Sequence, residues 1–161
     1  MFLQGRFAEA DALLRPSVLR SRDVLGATHR CSTLGMVTMA RLSLARGNNS
    51  DAVIYYLSGL SLCEKCVDLG RNHEETLSVL DEMSDLHGAA GRTELAREYA
   101  LRGYERRKMQ LGAWHRGTRA AHAKLLAMLQ PGEEIRPHPS VHEMFQICEP
   151  ALAMQRTLSL D

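Results

Sequence analysis

Between Ser32 and Gly47 the apolar and small residues fall at Met36, Met39, Ala40 and Ser43. The same stripe recurs at Leu80, Met83, Ser84 and His87, and again at His122, Leu125, Leu126 and Leu129. With 3.6 residues per turn, positions spaced this way share one helical face, so residues 32–46, 75–89 and 117–130 are predicted helices of one kind (type A). A second kind (type B) alternates with them. Its inner face reads Ala10, Leu14, Ser17, then Ala52, Tyr56, Gly59, then Ala96, Ala100, Gly103, and predicts helices over 6–24, 49–69 and 92–111. The third member of each set is small, which lets a neighbouring helix come close. Pro16 lies inside the first of these helices and is expected to bend or break it, because it removes an amide donor.

The punctuation between these segments also repeats. Gly47 and Gly91 close the type A helices, glycine being the residue that takes the left-handed conformation at little steric cost. Leu25-Gly26, Leu69-Gly70 and Leu111-Gly112 end the type B helices, and each pair is followed three residues after its Gly by His29, His73 or His115. Gly5 precedes Ala10 by the same five residues that separate Gly47 from Ala52 and Gly91 from Ala96. The period is therefore 42 to 44 residues, the range of a helical repeat array. The first repeat is incomplete, since residues 1–4 amount to the last turn of a type A helix. The first type B helix then lacks its partner, and Leu13, Leu14 and Val18 are expected to face solvent. Two readings of that start stand side by side: a piece of a longer array, or a true start whose end is covered by the tail or by a second copy. Residues 131–161 break the pattern at Pro131-Gly132 and at Pro137-His138-Pro139. Ser140 there is placed to cap a short helix from Val141 to Cys148, expected to cover the last repeat. The organisation predicted is thus repeats over 1–130 and a Pro-interrupted tail over 131–161.

Leu69-Gly70, His73, Thr76-Leu77, the Met83-Ser84 pair, Gly91 and Ala96 follow one another in an order that resembles a tetratricopeptide array, and more narrowly the long-repeat variety of kinesin light chains. The resemblance covers roughly residues 1–130. It departs from that pattern where proline follows the histidine, since Arg30, Glu74 and Arg116 stand there. It implies an all-α fold, a right-handed superhelix of antiparallel helix pairs. It also implies a non-catalytic protein-interaction module, a scaffold or sensor, with type A helices lining a concave groove. The groove-facing places would be Val37, Thr38, Arg41 and Leu44, then Asp81, Glu82 and Asp85, then Ala123 and Lys124.

Composition narrows the chemistry. The net charge of +1 gives no bulk pull toward nucleic acid or membrane. The longest uncharged apolar run, Ala52 to Cys63, is too short to span a bilayer. No secretory leader pattern is visible, and four cysteines without a disulfide-framework spacing suit a reducing, cytoplasmic compartment. Cys63-Glu64-Lys65-Cys66 has the spacing of a zinc half-site but no second pair of ligands beside it, so packing is the favoured reading. His29, His73 and His115 recur once per repeat, as structural rather than catalytic residues do; they are expected to satisfy carbonyls at the ends of the type B helices. No phosphate loop, His-Glu-x-x-His helix or nucleophile elbow is present. The expectation is no enzyme activity, no cofactor and no metal.

Charge is segregated along the chain. Five acids and no Lys or Arg lie between Asn72 and Gly91, whereas eight basic residues and three acids lie between Arg92 and Arg119. Arg102, Arg106, Arg107 and Lys108 are expected to form a solvated outer face. Asp81 and Asp85, four apart, share a helical face with Glu82 beside them. They stand either as ordinary surface charge or as a docking point for Lys or Arg of an extended peptide. The site expected is a partner-binding groove of Val37, Thr38, Arg41, Asp81, Glu82, Asp85 and Lys124. The partner is a protein or peptide, with no nucleic acid and no membrane. The alternative is a structural element that self-associates through the exposed first helix.

Overall fold

The computed structural model describes residues 6–129 and Ile135. Six helices follow one another: α1 (Phe7–Leu25), α2 (Arg30–Ala45), α3 (Asn49–Lys65), α4 (Glu74–Ala89), α5 (Thr93–Leu111) and α6 (Arg116–Leu126). Among the described residues there is no strand. Each helix packs on the next along the chain, most extensively within the pairs α2/α3 and α4/α5. The expected capping helix near 140–148 lies outside the described residues.

Local chemistry sets each boundary. Helices α2, α4 and α6 begin at His29, His73 and His115, whose Nδ1 atoms accept the amides of Cys31, Glu75 and Gly117 at 3.1–3.2 Å. These histidines therefore cap the start of the following helix, and do not satisfy carbonyls at the end of the preceding one. An imidazole nitrogen here does the work usually done by the oxygen of Ser, Thr, Asn or Asp, accepting an amide that has no partner within the helix. At the other end of α2 and α4 the closing glycines have positive φ (77° at Gly47, 73° at Gly91). The amide of Asn48 reaches Ser43 O and that of Arg92 reaches His87 O, both at 2.9 Å, the 6→1 bond of a left-handed glycine stop.

Helix α6 ends at Leu126 instead of reaching 130, and two further features differ from the sequence reading. Helix α1 runs unbroken through Pro16. Pro16 and Ala12 are both exposed, so the carbonyl of Ala12 freed by the missing amide is open to water. Helix α3 stops at Lys65 instead of continuing to residue 69. Cys66 turns extended, and Cys66 and Leu69 both swing into the core. The equivalent Leu25 and Leu111 stay on regular helix and remain exposed. Burying two more apolar side chains offsets the lost helical turn.

The core lies between α2 and α5. Val37, Ala40, Tyr56, Cys63, Val79, Leu80 and Met83 have no solvent exposure. Glycine permits the closest helix approach. A Cβ on Gly59 would stand 3.0 Å from Val37 Cγ2. Between α1 and α2 the roles are exchanged: Gly35 on α2 leaves room for Val18, whose Cγ2 would be 2.7 Å from an added Cβ. Val18 is thus buried, not solvent-facing as its place on the first helix suggested; Leu14 is half-buried and Leu13 alone of the three is exposed.

His87 lies in the α4/α5 interface with its ring stacked on Tyr99 (centroids 5.4 Å apart, planes 3° apart). Burial, reinforced by the Arg92 cation, holds its imidazole below the ordinary value of 6.5, against a smaller upward pull from Glu98. A histidine that stays neutral in the fold but takes a proton when unfolded contributes stability above the unfolded pKa. That contribution is lost as pH falls through 6.5 toward the folded value. Thermal melts from pH 7.5 to 5.5 are expected to shift downward in the parent and less in His87→Phe, which keeps the stacked ring without the titrating nitrogen. An equal downward shift in both proteins would place the titration elsewhere.

Candidate functional site

The type A helices α2, α4 and α6 present one continuous face, and polar side chains tie them together across it. Arg41 on α2 donates to both carboxylate oxygens of Glu82 on α4, at 2.8–3.2 Å. It also pairs with Glu75 at 2.8 Å. Glu82 accepts further bonds from the Tyr56 hydroxyl (2.7 Å) and from Ser78 (3.0 Å). Burial alone would push the Glu82 carboxyl up, but the hydrogen bonds and charge of Arg41, with Tyr56 and Ser78, outweigh it and hold the group below the usual carboxylate range. The same contacts act on the partners. Arg41 is driven more firmly cationic, chiefly by its bonds to Glu82. The Tyr56 phenol is pushed up by burial and then by Glu82.

A second cluster joins α4, α5 and α6. Arg107 on α5 grips both oxygens of Asp81. Lys124 on α6 donates to the backbone carbonyl of Asp81 at 3.2 Å and pairs with the Asp85 carboxylate at 2.7 Å. These groups line an open cleft of about 390 Å³, whose floor is made by Gly117, Ala120 and Ala121. The small residues on α6 make the space, and the charged ones rim it. The rim is balanced in charge, with Asp81 and Asp85 against Arg107 and Lys124.

The structure therefore brings Arg41 together with Glu82, and Asp81 and Asp85 with Lys124. Thr38 is exposed on the same face, its hydroxyl bonded to Leu34 O of its own helix at 2.8 Å. Val37 does not belong with them. It has no solvent exposure and is packed under Gly59, because α3 approaches α2 at that point. Glu75, Ser78, Tyr56 and Arg107 join these clusters, Ala120 lines the cleft, and all five escaped the sequence reading. A signal for part of this was present: Arg41 and Glu82 are 41 residues apart, and Lys124 and Asp81 are 43 apart, close to one repeat.

Of the basic stretch of α5, Lys108 is exposed as expected, but the three arginines do not form a solvated face. Arg102 and Arg106 are largely buried and both donate to Glu64 on α3. Arg106 also reaches Arg71 O at 3.1 Å. Their charge is used inside the molecule, between repeats.

Cys63 and Cys66 are free and buried. Burial pushes the Cys63 thiol up to about 11, so it is protonated at neutral pH. Among the described residues no three His, Cys, Asp or Glu side chains converge as a metal site would require. No helix among them is long and apolar enough to cross a membrane.

A family model of the tetratricopeptide repeat matches residues 1–30, the stretch that holds α1 and the loop up to His29. No curated protein matches the chain. Six helices packed in sequence, together with that match, are consistent with an all-α, tetratricopeptide-like helical repeat fold. Repeats of this type generally mediate protein–protein interaction and are typically non-catalytic.

Proposed function

We propose that this chain is a non-catalytic interaction module of the long-repeat, kinesin light chain-like variety, and that it holds an extended peptide or partner segment along the α2/α4/α6 face. The observation that carries the reading is the open cleft lined by Asp81, Asp85, Ala120 and Lys124. Thr38, Arg41 and Leu44 on α2 are exposed and Glu82 on α4 is half-buried, and in this reading they continue the binding face. Free cysteines suit work in the reducing cytoplasm.

The ion pairs refine which peptide suits the site. Each acid already has a cation from a neighbouring helix, so a purely basic ligand meets no unbalanced negative charge. A mixed-charge segment with small apolar side chains fits better. Exposed pairs contribute only about 0–1 kcal/mol each, so apolar burial over Ala120 and Leu44 must supply much of the affinity.

Panning a random peptide display library against the full chain tests this. Recovered peptides are expected to weaken tenfold or more on Ala120→Arg, which fills the cleft, and to bind less tightly in high salt. Asp85→Lys is the charge variant to pair with it, since Asp85 is exposed, whereas Asp81 also anchors Arg107. Peptides that bind both variants as well as the parent would move the site off this face.

A further inference from the structure

We propose that copies of this chain join head to tail, the open face of α6 on one copy taking the open face of α1 on the next. Helix α6 is of type A and has no described type B helix after it. Helix α1 is of type B and has no described type A helix before it. Together they are the two halves of the pair that the chain forms internally as α2/α3 and as α4/α5.

The exposed residues are those the internal pairs bury. Ala52 on α3 and Ala96 on α5 are buried against their own type A helices, and Gly59 and Gly103 are buried one step along the same face. Their counterparts on α1 are Ala10 and Ser17, both small and both exposed. Between them Leu13 is 72% exposed, at the place where α5 holds the buried Tyr99. On the type A side, Ala40 and Ser84 have no exposure, yet their counterpart Leu126 is 49% exposed. Ala123 is exposed where α2 holds the buried Val37. One end thus offers a face of small residues with a leucine standing on it, and the other a leucine beside an alanine. Stacked repeats draw stability from each neighbour interface, so completing a further pair extends the array by the same contacts it already contains. An interface between two different faces does not close on itself as a symmetric dimer does, and it propagates.

Sedimentation of the full chain over a range of concentrations, with Leu13→Glu and Leu126→Glu variants, tests the arrangement. The parent is expected to form a concentration-dependent series that passes beyond the dimer. Each variant alone has one face blocked and is expected to stay monomeric. A mixture of the two retains one intact α6 face and one intact α1 face, so it is expected to double in mass and stop there. Both substitutions are at exposed positions, and circular dichroism melts matching the parent confirm that the helices are intact; Ala10→Glu with Ala123→Glu is a second pair of the same design. A parent that remains monomeric, as it would if its own tail covered α6, overturns the proposal. So does association that survives either single variant, or a mixture that stays monomeric.

Discussion

Leu80→Ala is expected to lower the stability of the chain by about 2–5 kcal/mol, the usual cost of emptying a fully buried leucine site. Leu80 has no solvent exposure and sits at the centre of the core cluster with Val37, Tyr56, Val79 and Met83. It lies on α4, which packs on both α3 and α5, so a cavity there weakens two interfaces at once. Neighbours collapse poorly around such a site because each is held from both sides. Urea unfolding of the variant beside Val67→Ala gives the comparison. Val67 is 99% exposed in the α3–α4 loop, and its truncation is expected to stay within about 0.5 kcal/mol of the parent. Equal midpoints for the two variants would remove Leu80 from the core.

Gly59→Leu is the second large effect, and it works by crowding. Its Cβ would stand 3.0 Å from Val37 Cγ2 and 3.5 Å from the Val37 amide nitrogen. Val37 is completely buried, and part of the obstacle is backbone, so α2 and α3 must move apart to admit the side chain. Overpacking typically costs about 1–3 kcal/mol, and a rigid wall puts this site toward the upper end. Gly103 occupies the equivalent place on α5, but there an added Cβ first meets Arg107 Nη1 at 3.1 Å, the end of a flexible side chain, and then Asp81 Oδ1 at 3.5 Å. Gly103→Leu is therefore expected to cost less in packing, and its main damage is to separate Arg107 from Asp81. A thermal melt series in which Gly103→Leu falls further than Gly59→Leu would reverse this ranking.

The two glycines show how far the pattern in the chain reaches. That a small residue recurs at 59 and 103 is plain from the spacing, and so is its purpose of admitting a neighbouring helix. What meets each glycine is not, because the repeat places a valine at 37 and an aspartate at 81. The consequence is opposite chemistry at equivalent points: a dry hydrophobic contact in one repeat and a guanidinium–carboxylate pair in the next. Val37 is misplaced on the expected groove face for the same reason. Its position in the stripe matches that of Asp81, which borders the cleft, but the closer approach of α3 at Gly59 seals it inside.

The histidines and the arginines teach a related point. A residue that recurs once per repeat is recognisably structural, and His29, His73 and His115 are. Which polar group each one satisfies depends on the direction of the ring, and that is set by the turn linking two helices. Arg102 and Arg106 look like a charged surface when α5 is considered alone, since they fall on its polar side. Only the packing of α5 beside α3 brings Glu64 within reach of both.

By itself the sequence determined the order and approximate ends of the six helices among the described residues, their all-α repeat arrangement and most of the buried stripe. It could do so because helical periodicity, glycine stops and the interval between repeats are properties of neighbours along the chain. The tertiary structure alone decided the early stop of α3 at Lys65, the burial of Val37, the pairing of every acid on the shared face with a cation one helix away, and the cleft between α4 and α6. Those depend on distances between separate helices, which the helix crossing geometry sets and which no local pattern of residues encodes.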